Sequence, residues 1–134
     1  MSEAEIGHGW IRTGADKLSS GELGDADYAI EEAKKHFLLE RAVNPETKNI
    51  AYYHQLKAFY FRKVGQLDDA IKDFEESIKI WGIEKDFYRS EIALSLKGMA
   101  LCYLRDFQLG LALSYFLMAM QHDRVAVLKC SFGK

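Results

Sequence analysis

Three segments of the chain repeat one pattern: an aliphatic residue, alanine three positions later, and phenylalanine four after that. The trios are Ile30, Ala33 and Phe37; Leu67, Ala70 and Phe74; and Leu109, Ala112 and Phe116. Spacings of three and four put each trio on one stripe of a helix. The alanine lets a second helix approach closely, and the aromatic one turn on fills the adjacent gap. Each stripe therefore needs a partner helix, and the segment ahead of it supplies one. Leu96, Met99, Ala100 and Tyr103 precede Ala112, while Ala58 and Phe61 precede Ala70, with Gly65 as the helix stop between. A chain so organised folds as a succession of helical hairpins. The alanines are unevenly spaced, so surplus residues belong to turns or to lengthened helix ends.

The middle copy, over residues 51–82, has Gly65, Leu67, Ala70 and Phe74 in order, with Tyr53, Leu56 and Tyr60 one position out of step on its leading helix. The third, over 93–124, holds Leu96, Met99, Ala100, Tyr103, Leu109, Ala112, Phe116 and Ala119, with Phe107 in place of the turn glycine. The first, over 8–45, admits two registers. Trp10, Gly14, Gly21, Leu23 and Ala26 suit one; Ile30, Ala33, Phe37 and Pro45 suit the other. A second helix longer than usual, over about 25–43, accommodates both.

Set against the pattern W-x2-L-G-x2-Y, then A-x3-F, then P, the chain resembles the tetratricopeptide repeat family. The resemblance implies an all-α fold: a right-handed α-solenoid, or superhelix, of antiparallel helix pairs in a single domain. Six helices are expected at about 4–19, 26–43, 48–64, 68–81, 87–104 and 108–121, with 125–134 as a C-terminal capping helix or tail. On the fourth, Ala70, Ile71, Phe74 and Ile78 face inward, while Lys72, Asp73, Glu75, Glu76 and Lys79 lie outside.

Composition agrees with an ordered helical domain. Hydrophobic residues make up 49% and aromatics 13%, enough for a core, and one proline leaves little room for linkers. The net charge of -2, acidic up to Gly82 and slightly basic after it, gives no electrostatic footprint for nucleic acid. The start is acidic rather than basic-then-apolar, unlike a signal peptide. The longest apolar run, from Leu109 to Met120, falls short of the roughly 18 residues of a membrane span. Cys102 and Cys130 form no CxxC motif, so neither a disulfide framework nor a zinc ribbon is indicated. The expectation is a soluble, cytoplasmic protein without membrane insertion.

Catalytic and metal-binding patterns are missing from the sequence. His8, His36, His54 and His122 stand in no HExxH or cysteine-flanked arrangement, and no phosphate-binding glycine motif or GxSxG occurs. His36 and Glu40 share a helix face but supply two ligands where a site needs three or four. Glu31 and Glu32, like Glu75 and Glu76, point about 100° apart, into solvent. Cys102 reads as a small buried hydrophobe and Cys130 as an exposed thiol. No enzyme, cofactor or metal is expected.

Binding is where the sequence points. The third helix carries Tyr52, Tyr53, Phe59, Tyr60 and Phe61, more aromatics than one inward stripe uses, whether that stripe is Tyr53, Leu56, Tyr60 and Val64 or Ala58 and Phe61. In tetratricopeptide proteins the first helices of successive repeats line a concave groove that cradles a peptide. The resemblance therefore implies a partner site of Tyr52, Gln55, Phe59 and Arg62, joined by Arg89, Lys97 and Leu101, with tighter packing between hairpins as the alternative use of the rings. The paired lysines and asparagines with which some members grip a C-terminal carboxylate are not matched here.

A second surface stands out in the last repeat. Leu109, Leu111, Leu113, Tyr115, Phe116, Leu117, Met118 and Met120 leave almost no polar face on a helix that ends the array. Leu113, Leu117, Met118 and Met120 mark it as an oligomer or cap surface. It must be covered by Val125, Val127 and Leu128 folding back as a seventh helix, by a second copy in a homodimer, or by a partner. The functional expectation is a module that holds another protein or peptide as adaptor, scaffold or escort chaperone. The alternatives are a structural subunit assembling through its last helix and a regulatory peptide-sensing protein of the same family.

Overall fold

In the computed structural model, which describes residues 1–128, the chain is all-helical. The helices are α1 (Glu3–Ser19), α2 (Leu23–Val43), α3 (Ile50–Lys63), α4 (Leu67–Trp81), α5 (Arg89–Arg105), α6 (Leu109–His122) and α7 (Arg124–Leu128). A single 3-10 turn, Gly82–Glu84, follows α4. No strand occurs among the described residues. Cys130 and the rest of the 129–134 stretch lie outside them.

The helices pack in neighbouring pairs, α1 with α2, α3 with α4 and α5 with α6, and successive pairs touch through α2–α3 and α4–α5. Each pair closes through the same turn. Gly21, Gly65 and Phe107 take left-handed backbone conformations, with φ of 81°, 86° and 58°. In each turn that residue's N–H donates to the carbonyl three back, on Leu18, Arg62 and Leu104. The next N–H donates to the carbonyl five back, on Lys17, Phe61 and Tyr103. This double bond pattern is the Schellman cap, which satisfies the last carbonyls of the leading helix. Glycine adopts it freely, whereas Phe107 does so against its own Cβ.

These turns fix the register of the first hairpin. Counted from them, Ala26, Ala70 and Ala112 are equivalent, and so are Ile30, Phe74 and Phe116. The Gly21–Leu23–Ala26 register is the structural one, and Ile30, Ala33 and Phe37 continue the same stripe along a longer helix. α2 runs for 21 residues against 15 in α4 and 14 in α6, so Ala26, Ile30, Ala33 and Phe37 are all buried on it. Pro45 stands just beyond its end. At the other terminus, Ser2 and Glu5 form a reciprocal capping box at the start of α1, with N···O distances of 3.2 and 3.1 Å.

α4 has the expected inward face, with Ala70 and Phe74 fully buried and Ile71 and Ile78 packed against the core. Most of the core runs from α1 to α5 around Phe37, Leu56, Phe59 and Phe74. A second cluster gathers Trp81, Ile92 and Leu96 with Ala119 of α6 and Val127 of α7. No helix among the described residues is long and apolar enough to cross a membrane.

Candidate functional site

α3 and α5 were expected to line a groove, and both are instead enclosed. From Ile50 to Lys63 no residue of α3 is exposed, and from Glu91 to Tyr103 none of α5 is. α3 packs against α1, α2, α4 and α5, and Tyr52, His54, Lys57, Tyr60, Phe61 and Lys63 keep partial exposure.

The residues assigned to the groove close the α3–α5 contact. Tyr52, half-buried, donates its hydroxyl to Glu91 Oε2 at 2.9 Å. Burial, and then the Glu91 carboxylate, push its phenol above the ordinary value and keep it a donor. Gln55 is buried, and its Nε2 donates to the Glu91 carbonyl at 3.0 Å and to Ser95 Oγ at 2.9 Å. Ser95 Oγ lies 2.8 Å from Ser77 Oγ, which donates to the Phe74 carbonyl at 2.7 Å. The three side chains form a buried relay that joins α3, α4 and α5, with a partner at every step.

Phe59 is a correction to the sequence reading. It is fully buried, edge-on to Phe74 with ring centroids 4.9 Å apart, and belongs to the core. Arg62 is buried as well: its guanidinium stacks over the Phe59 ring, its carbonyl accepts from Arg105, and burial lowers its pKa. Lys97 and Leu101 are half-buried on α5. Arg89 is exposed at the other end of that helix, where its Nε donates to the His122 carbonyl at 3.2 Å. The structure thus brings Tyr52 and Gln55 together on Glu91 and sends Arg89 to the end of α6.

His36 and Glu40 do not act as a pair. His36 Nδ1 meets Glu3 Oε2 at 2.5 Å, while Glu40 accepts from Thr47 and from Asn49, whose Oδ1 in turn lies 3.1 Å from His8 Nε2. Among the described residues no group of three or more His, Cys, Asp or Glu side chains is placed to hold a metal ion. Cys102 is buried, and burial raises its thiol to about 11, which disfavours the thiolate.

The outer face of α6 is what remains open. Ala112 and Ala119 face α5 and are buried, Tyr115 stacks on Tyr103, and Phe116 and Met120 pack into the second core cluster. Met120, expected at the surface, is therefore half-buried. Leu109, Leu111, Leu113, Leu117 and Met118 are exposed by 43 to 63%. With about 100° between successive residues, the exposed positions sweep roughly 200° of the helix. Just ahead of them, Phe107 is 88% exposed. The seventh helix does form, with Val127 buried against its neighbours, yet Val125 and Leu128 are exposed and none of the described residues covers the α6 face.

These helices and this face describe a repeat-like, all-helical chain of neighbouring hairpins with one open apolar side. No family model, curated protein or solved structure matches it.

Proposed function

We propose that the chain is a tetratricopeptide-like interaction protein whose hairpins stack as a right-handed superhelix and whose work is to hold another polypeptide on the outer face of α6. The observation that carries this reading is that face itself. Leu109, Leu111, Leu113, Leu117 and Met118 stay exposed although a seventh helix is present to cap the array. Side chains of that size, exposed to that degree, present roughly 500 Å² of apolar surface, near the top of the range for a typical monomer. A patch of that size supports a contact role. The same hairpins support an adaptor, scaffold or escort role, and the buried free thiol of Cys102 suits the reducing cytoplasm.

Capture by the tagged chain from lysate of its source cells, read by mass spectrometry, tests the reading. The double substitution Leu113→Glu with Leu117→Glu should abolish recovery of the bound polypeptide, while Lys97→Ala on α5 should leave it intact. Recovery unaffected by the two glutamates would overturn the assignment of the face.

A further inference from the structure

We infer that the polypeptide held on α6 is a second copy of this chain, paired α6 to α6 about a two-fold axis; this rests on the reading of α6 as the contact face. The helix surface is self-complementary in shape. By the helical angle, Leu109, Leu113 and Leu117 form one ridge, Leu111 and Met118 lie across from it, and the band between them holds Gly110 and Ser114, with Gln121 and Met118 at its C-terminal end. A Cβ built on Gly110 meets no heavy atom within 4 Å, so the groove is open outward. On a copy turned about a two-fold axis, the leucine ridge of each helix seats in the small-residue groove of the other. Ridges spaced four residues apart pack in this way with the helix axes crossing at roughly 50°.

Charge and size select the same occupant. From Phe107 to Gln121 the chain contains no Asp, Glu, Lys or Arg. A partner presenting ions would have them desolvated against leucine with nothing to pair. The chain's own α6 face strands no ion when it meets itself. Two such faces offer at most roughly 1,000 Å² together, the low end for a specific interface and in keeping with a weak, concentration-dependent dimer, and Phe107 at the end of the ridge adds to it.

Sedimentation velocity on the purified chain, from about 1 μM to about 100 μM, tests the pairing. A monomer–dimer equilibrium is expected. Leu113→Glu with Leu117→Glu should give a monomer throughout, with helicity unchanged and with the urea midpoint unchanged at dilutions where the wild type is itself monomeric. Gly110→Leu makes the surface more apolar while filling the groove, and it should weaken the dimer tenfold or more; general stickiness would strengthen association instead. A strict monomer at the highest concentration, open-ended aggregation, or a dimer indifferent to these substitutions each overturns the inference. If the chain is monomeric and the two glutamates still abolish capture of another protein, only the second copy falls. If capture also survives them, the reading of the face falls too.

Discussion

Phe74 lies directly over Gly98: a Cβ at position 98 would sit 2.2 Å from the ring's Cζ. The ring comes from α4 and the notch from α5, so this contact joins the second hairpin to the third. Phe37 uses Gly7 in the same way inside the first hairpin, where an added Cβ would meet the ring at 2.5 Å. A glycine within a helix weakens it, and here the weakness is exchanged for close approach.

Gly98→Ala is expected to lower stability by about 1–2 kcal/mol net, because an overpacking cost at the upper end of about 1–3 kcal/mol exceeds the roughly 1 kcal/mol that alanine gains in helix propensity. Urea unfolding measures it. Phe74→Leu costs stability in the wild-type background and should cost less beside Gly98→Ala, a coupling that a double-mutant cycle resolves.

Phe107→Gly should raise stability by about 1 kcal/mol, since it relieves a left-handed backbone at a residue whose ring buries little. The reciprocal change, Gly65→Ala, should lower it by about the same amount at the equivalent turn. Shifts in thermal midpoint of opposite sign are the readout.

Phe59→Ala should cost about 3–5 kcal/mol, as expected for an aromatic removed from a packed core. Leu113→Ala, at an exposed position of α6, should change the stability of the monomer, measured at high dilution, by less than about 0.5 kcal/mol. Chemical denaturation of the two variants side by side separates core from contact surface.

Alkaline pH should lower the stability of the chain. Burial raises the Cys102 thiol to about 11 from an ordinary 9.0, and burial followed by the Glu31 carboxylate raises the Tyr53 phenol to about 12 from 10.0. The unfolded chain releases these protons first. The stabilisation they provide is complete below about pH 9 and is lost as pH climbs through these folded values. Urea midpoints measured from pH 7 to pH 11 should fall only in the upper part of that range. In a Cys130→Ser background, iodoacetamide at pH 8 should label Cys102 only after unfolding.

Helix positions were legible because Ala70 and Phe74, and their counterparts, recur at spacings only a helix places on one side. The first hairpin was harder. Its stripe extends over two more turns of α2, so Ile30, Ala33 and Phe37 imitate the repeat a little too far along. The Gly–Glu–Leu, Gly–Gln–Leu and Phe–Gln–Leu triplets at the three turns carry the true register, and Ser2 with Glu5 carries the capping box.

Phe59, Gln55 and Arg62 were read as surface residues for a different reason. α3 carries rings on more than one side because it has neighbours on several, and Phe59 in particular is spent on the core against Phe74. The Gln55–Ser95–Ser77 relay joins residues far apart in sequence, and no local pattern announces it. The α6 face, by contrast, could be read directly, because leucines at 109, 113 and 117 alongside Leu111 and Met118 exceed what one buried stripe can use.

That relay also limits how the chain can change over generations. Altering Gln55, Ser77 or Ser95 alone leaves a buried polar group without its partner, whereas exchanging all three for apolar groups of matching shape would cost little. Three separate helices thus share one fate at this junction, and drift there proceeds as a block or not at all.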